Sequence, residues 1–296
     1  MATTLTAAAL RRELAIRAHE HARFHPHETT AGHLPSILFT PYTTNPCEES
    51  EASSHGNFHP ASYRAILANP AFATRLAKSY TSARRIPHRH HPDRNRPRRE
   101  LDCATSSDAL LMNIFCHPQT LCGSSTRALL GLGSTETQPT FGYHPHLPLP
   151  AGRGKKPLTD RTEIDLHLGQ LLIEAKLTES DFQRAPLANV QRYPAFNEIF
   201  DIDLLPIEDP DIARPMLHSY QLIRGVLAAH HESKRFVVLC DRRRADLIER
   251  WFLILRAIRP YDLRSRCALL TWQELSATLP TTLQRFLATK YGIHPA

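Results

Sequence analysis

The segment Thr162–Leu177, TEIDLHLGQLLIEAKL, alternates apolar and polar residues on both sides of Gly169-Gln170. A period of two is the pattern of a β-strand with one buried face. Glycine at the first of two central positions suits a type II′ hairpin turn. That turn sets Leu168 opposite Leu171, so Asp165 faces Glu174 and Glu163 faces Lys176. A slip of one residue would turn the whole apolar set to water, so this register is strongly specified. One face reads Ile164, Leu166, Leu168, Leu171, Ile173, Ala175 and Leu177 and should lie on a core. The other carries Glu163, Asp165, His167, Leu172, Glu174 and Lys176.

The rest of the chain supplies partners for such a hairpin. Helical patterns cover 4–24, Ser62–Ala68, Ala71–Ser82, a run from Ser106-Ser107-Asp108 to about Cys116, His218–His231, Arg244–Ile258 and Thr281–Tyr291. Ser106 or Ser107 is suited to cap the fourth of these. Thr140–His144, Arg235–Cys240 and Cys267–Thr271 read as strands, and residues 25–59, 117–138 and 180–215 as loops. Strands alternating with helices argue for an α/β fold, a central mixed sheet flanked by helices. The organisation expected is a helical and basic N-terminal extension over 1–100 and an α/β domain over 101–296. At 296 residues and 42% hydrophobic content the chain can build a full core.

The longest apolar runs, Phe236–Cys240 and Trp251–Leu255, hold five residues, far short of the roughly 20 a membrane span needs. Arg11, Arg12 and Glu13 stand where a secretory signal would be apolar. The six cysteines include no C-x2-C pair, and Cys116 and Cys240 end apolar runs, which suits buried thiols in a reducing cytoplasm. No membrane partner is expected.

Net charge is +7, and 30 of the 36 basic residues are arginine. The arginine fork suits phosphate, although a GC-rich genome would enrich arginine as well. Position favours phosphate. Residues 84–99, RRIPHRHHPDRNRPRR, hold seven arginines, and three prolines forbid a continuous helix. Such a segment is either a solvated connector or a basic arm on a nucleic-acid backbone. As an arm, Arg84, Arg85, Arg94, Arg96, Arg98 and Arg99 would contact phosphates, helped by Arg153 and Lys156 in a later loop. His88, His90 and His91 lack ligand geometry for a metal.

Directly opposed carboxylates repel, so Asp165 against Glu174 is a local cost unless a divalent cation lies between them. Hard oxygen ligands suit Mg2+ or Mn2+, completed by water and substrate phosphate. An Asp followed on the next antiparallel strand by Glu174-Ala175-Lys176 resembles the PD-(D/E)XK nuclease superfamily. The order helix, three strands, helix, strand is similar to its αβββαβ core. The stretches IEAKLTES and SSDALLMNIF resemble a restriction-endonuclease-like bacterial subgroup. The resemblance implies a metal-dependent nuclease acting on DNA. Asp165, Glu174 and the Ala175 carbonyl would hold Mg2+ or Mn2+, and Lys176 would act on the attacking water or the transition state. Asp108 would be a further acid from the first helix, or simply a first-turn residue favoured by the helix dipole. Gln221 would stand near the metal, or on a core edge. A homodimer is compatible with this reading.

The motif has a second occurrence in the chain and one departure from the superfamily's pattern. Given 29 acidic residues and six lysines, about 0.6 chance occurrences of (D/E)-x-K are expected, and a second one, Glu232-Ser233-Lys234, is present. It falls between a helix and a strand, where both side chains are expected to be solvated. The proline of the superfamily's name is replaced by Ile164. The alternatives are a plain Glu163–Lys176 ion pair, with the chain a non-catalytic nucleic-acid-binding or partner-binding subunit on the same fold.

Overall fold

The computed structural model describes residues 4–24, 30–31, 38–39, 55–79, 99–133, 138–150, 158–160, 162–208 and 213–296. The chain forms two compact units, one built mainly of residues 134–271 and the other of 5–133 with 272–296.

The first unit is the α/β one. Its five-stranded sheet uses β1 (Thr140–Tyr143), β2 (Ile164–Leu168), β3 (Leu171–Ala175), β4 (Arg235–Cys240) and β5 (Cys267–Thr271), in the order β5-β4-β3-β2-β1. The β1/β2 and β2/β3 pairs are antiparallel, and β3/β4 and β4/β5 are parallel, so the sheet is mixed. Parallel neighbours need a crossover, and helix α1 (Tyr220–His231) supplies it between β3 and β4. Helix α2 (Ala245–Ala257) follows β4.

The β2/β3 hairpin has the register its pattern predicts: Leu168 pairs with Leu171, His167 with Leu172 and Leu166 with Ile173. Gly169 takes φ 58°, the conformation its turn position requires. Strand β3 is buried at every position and lies in the middle of the sheet, between β2 and β4. Its residue Leu172 joins Phe236 and Val238 of β4, Val226 of α1 and Trp251 of α2 in one core. Ile164 joins the same cluster. Gly225 lets α1 sit directly on β4: a Cβ there would lie 2.2 Å from Phe236 Cζ.

The second unit is helical. Helix Ala7–Phe24 buries Leu10, Leu14 and Ala18, and Arg17 Nη1 donates to the Ala288 carbonyl of helix Thr281–Tyr291 at 3.3 Å. Helix Ser107–Phe115 begins as expected, with Ser106 Oγ accepting the Ala109 N–H at 3.1 Å. Fully buried Asn113 ties it to the preceding segment, donating to the Asn57 carbonyl at 2.7 Å and accepting the His59 N–H at 2.7 Å.

Some local expectations are corrected. Residues 117–138 contain a helix, Ser124–Leu130, too short for periodicity to show and ended by Gly131 at φ 60°. The helix expected from His218 starts at Tyr220, because Met216–His218 pairs as a strand with Arg184–Pro186. Of the helix expected over 71–82, the described part is a short turn, Pro70–Ala73, continued by the 3-10 turn Thr74–Ala77, and 80–82 lie outside the described residues. The acidic stretch 180–215 carries the short helices Leu187–Val190 and Phe196–Ile199, whose Val190, Phe196 and Ile199 are core residues.

Candidate active site

Asp165, Glu174 and Lys176 meet at the end of β3. Lys176 Nζ donates to Glu174 Oε1 at 2.6 Å, and their side chains are 6% and 2% exposed. The Asp165 carboxylate turns toward β3 and accepts the Ala175 N–H at 2.7 Å. Lys176 continues the ladder on its other side, its N–H donating to the Leu239 carbonyl of β4 at 2.8 Å. Burial by itself lowers the Lys176 pKa, but Glu174, Asp165 and Glu179 outweigh it, so the ammonium is held above its ordinary value. Two carboxylates from facing strands thus approach one buried cation.

Lys176 thus pairs with Glu174, two residues away on its own strand. This corrects one expectation. The carboxylates are not a bare repelling pair, because an ammonium and an amide N–H already offset them.

The open end of the hairpin is gripped on both strands by buried arginines that periodicity did not single out. Arg224 of α1, 1% exposed, donates to the Thr162 carbonyl at 2.6 Å and to the Glu163 carbonyl. Arg244, 0% exposed, donates to the Leu177 carbonyl at 3.4 Å. Glu179 completes that end by accepting the Leu177 N–H at 2.7 Å.

Gln221 lies in the first turn of α1, half-buried, its N–H donating to the Phe182 carbonyl at 3.0 Å. The Phe182 ring in turn lies 5.7 Å from Lys176 Nζ. Asp108 lies in the helical unit, where its carboxylate accepts from Arg75 Nη2 at 3.0 Å and from Lys78 Nζ. Arg99 forms an antiparallel bridge with Ser79. Arg84, Arg85, Arg94, Arg96, Arg98, Arg153 and Lys156 lie outside the described residues. Among the described residues no three His, Cys, Asp or Glu side chains are grouped so as to hold a metal ion.

The second Glu-x-Lys does lie between α1 and β4, but it is not solvated. Glu232 and Lys234 are 15% and 14% exposed and 2.7 Å apart. Tyr143 donates to Glu232 at 3.0 Å, and Lys234 Nζ stands 2.8 Å from His167 Nε2. His167, which pairs with Leu172 across the hairpin, stacks on Tyr143 with ring centroids 4.4 Å apart. The cluster braces β1 and β2 to the start of β4, and the sequence signal for it was only the tripeptide.

Residues 14–292 match the model of a family described as restriction endonuclease associating with ARP. The chain belongs to that family. No curated protein and no solved structure matches it. The family match spans both units, so the restriction-endonuclease description applies to the helical unit as much as to the sheet. No helix among the described residues is long and apolar enough to cross a membrane.

Proposed function

We propose that the chain is a metal-dependent deoxyribonuclease of the PD-(D/E)XK type. The observation that carries this reading is Lys176, buried at the end of β3 against Glu174 and electrostatically coupled to Asp165. The restriction-endonuclease family supports it at the level of reaction class.

The donor set suits a hard divalent cation. Asp165 and Glu174 offer carboxylate oxygens and Ala175 a carbonyl, all hard ligands. Two protein carboxylates are a usual complement for Mg2+, which keeps several waters and takes substrate phosphate. Mg2+ or Mn2+ held there would polarise the scissile phosphate and lower the pKa of water. Asp165 keeps its carboxylate aimed at the strand end through the Ala175 N–H. Lys176 stays protonated and would stabilise charge growing on the phosphate, or orient the attacking water. Burial of Glu174 and Lys176 keeps bulk water away, which strengthens both effects. The arm Arg84–Arg99 would add sequence-independent phosphate contacts. The family description names ARP as an associate, and we take an ARP protein as this chain's partner.

Nicking of plasmid DNA and digestion of linear DNA, with and without Mg2+ or Mn2+, test the reading. The wild type should cleave only with metal, and Asp165→Ala should bind DNA without cleaving it. Salt-sensitive DNA binding by a wild type that cleaves under no metal would favour the non-catalytic binding protein. Absence of any DNA affinity would leave a partner-binding subunit.

A further inference from the structure

Arg244 is the more unusual of the two buried arginines. It stands at the start of α2, where its own N–H donates to the Asp241 carbonyl at 2.9 Å and its carbonyl accepts the Leu247 N–H at 3.0 Å. Its guanidinium, 0% exposed, is used on both edges. Nε and Nη2 each donate to the Asp246 carboxylate at 2.8 Å, and Nη1 donates to the Leu177 carbonyl. Asp246 is 45% exposed, so the pair runs from the surface to the strand end. Burial alone would raise the Asp246 pKa, but the Arg244 hydrogen bonds and charge hold it below the ordinary carboxylate value.

The carbonyl that Arg244 holds is that of Leu177, in the second peptide after Lys176. Both backbone polar groups of Leu177 end on charged side chains, N–H on Glu179 and carbonyl on Arg244. Taking a guanidinium out of water costs several kcal/mol unless its donors are satisfied. A neutral donor would have satisfied one carbonyl more cheaply. What a bidentate Arg–carboxylate pair adds is a fixed plane and a fixed distance.

We propose that Arg244 is a positioning residue for Lys176: the Asp246–Arg244 pair fixes the Leu177 peptide and so aims the Lys176 ammonium at Glu174. This deepens, and rests on, the nuclease reading only in what Lys176 is positioned for; the geometric claim stands apart from it. Glu174, Asp165 and Glu179 are the charged groups that face Lys176, and Arg244 acts on it through the backbone. Lysine at 244 would keep the charge but lose the two-sided grip.

The chain holds only six lysines, so selective 15N-lysine labelling resolves the individual ammonium signals, with Lys176→Arg assigning Lys176. In the full-length wild type the Lys176 ammonium, buried against Glu174, should exchange slowly with water. In Arg244→Lys it should exchange faster, while the Lys234 signal is unchanged. Asp246→Asn, altered at the exposed end of the pair, should shift Lys176 in the same direction, and decides the matter if Arg244→Lys does not fold. An unmoved Lys176 signal in a folded variant of either kind overturns the proposal. If the wild type cleaves DNA, Arg244→Lys should lower kcat on the order of 10- to 100-fold with KM little changed, as for a misaimed group. A fall in Tm with unaltered kcat would mark Arg244 as structural and also overturn the proposal. A wild type that never cleaves defeats the nuclease reading and leaves the lysine spectrum to decide the positioning.

Discussion

At Lys176 burial and charge act against each other, and the balance can be tested by removing one side. With Lys176 replaced by Met, Glu174 is left buried without its counter-charge. Breaking such a pair costs about 3–5 kcal/mol, and the metal-free protein should be destabilised on that scale. A divalent cation should then matter more. Thermal melts with and without Mn2+ should show a larger metal-induced shift for Lys176→Met than for the wild type, and little shift for Asp165→Asn. A full shift in Asp165→Asn would remove Asp165 from the metal site. Glu232 tests the same logic where no catalysis is assigned. It accepts from both Tyr143 and Lys234 in a half-buried cluster, so Glu232→Ala should cost about 1–3 kcal/mol in urea unfolding. An exposed pair would cost less than about 0.5 kcal/mol. Metal-dependent cleavage should survive that change.

At the scale of elements, packing distance and buried charge set the limits. Helix α1 approaches β4 so closely at Gly225 that a methyl group would meet the Phe236 ring, itself fully buried beside Trp251. Alanine favours a helix by about 1 kcal/mol over glycine. Overpacking costs about 1–3 kcal/mol, so Gly225→Ala should nevertheless lower stability. In helix Thr281–Tyr291, Lys290 is 1% exposed, and among the described residues its Nζ has no hydrogen-bond partner. Burial brings its pKa from 10.5 down to about 7, with Cys103 acting weakly the other way. The unfolded chain therefore binds more protons between those values, so stability should rise with pH from 7 toward 10.5 and level off below 7, where both states carry the proton. Lys290→Met should remove that slope and add about 2 kcal/mol or more at pH 7. Urea midpoints of both proteins at pH 7 and pH 9.5 provide the comparison.

At the scale of the molecule, the helical unit draws on both ends of the sequence. Helix Ala7–Phe24 is bonded to Thr281–Tyr291 through Arg17, and Leu10 and Leu14 are buried. Removing 272–296 should therefore deprotect the amides of 7–24 in hydrogen exchange; unchanged protection would show that this helix is held by other contacts. The arm belongs to this scale too. Arg94, Arg96, Arg98 and Arg99 replaced by Ala should weaken DNA binding equally on all sequences and flatten its salt dependence by roughly one unit of slope per lost contact.

What the sequence determined by itself is the hairpin: its register, its turn glycine, its buried face, and the placing of Asp165 and Glu174-x-Lys176 at one strand end. Periodicity records which way each side chain points, and a two-residue turn leaves no freedom in the pairing. Strands β4 and β5 and helices α1 and α2 were legible for the same reason, being strongly patterned. Tertiary structure decided the partners. Nothing local places Asp108 between Arg75 and Lys78. Likewise Arg244 reads as one of three consecutive arginines, yet it is buried because the end of β3 arrives beside it from 67 residues away. Charged side chains are long and their partners come from distant segments, so their pairing is settled only when the sheet brings those segments together.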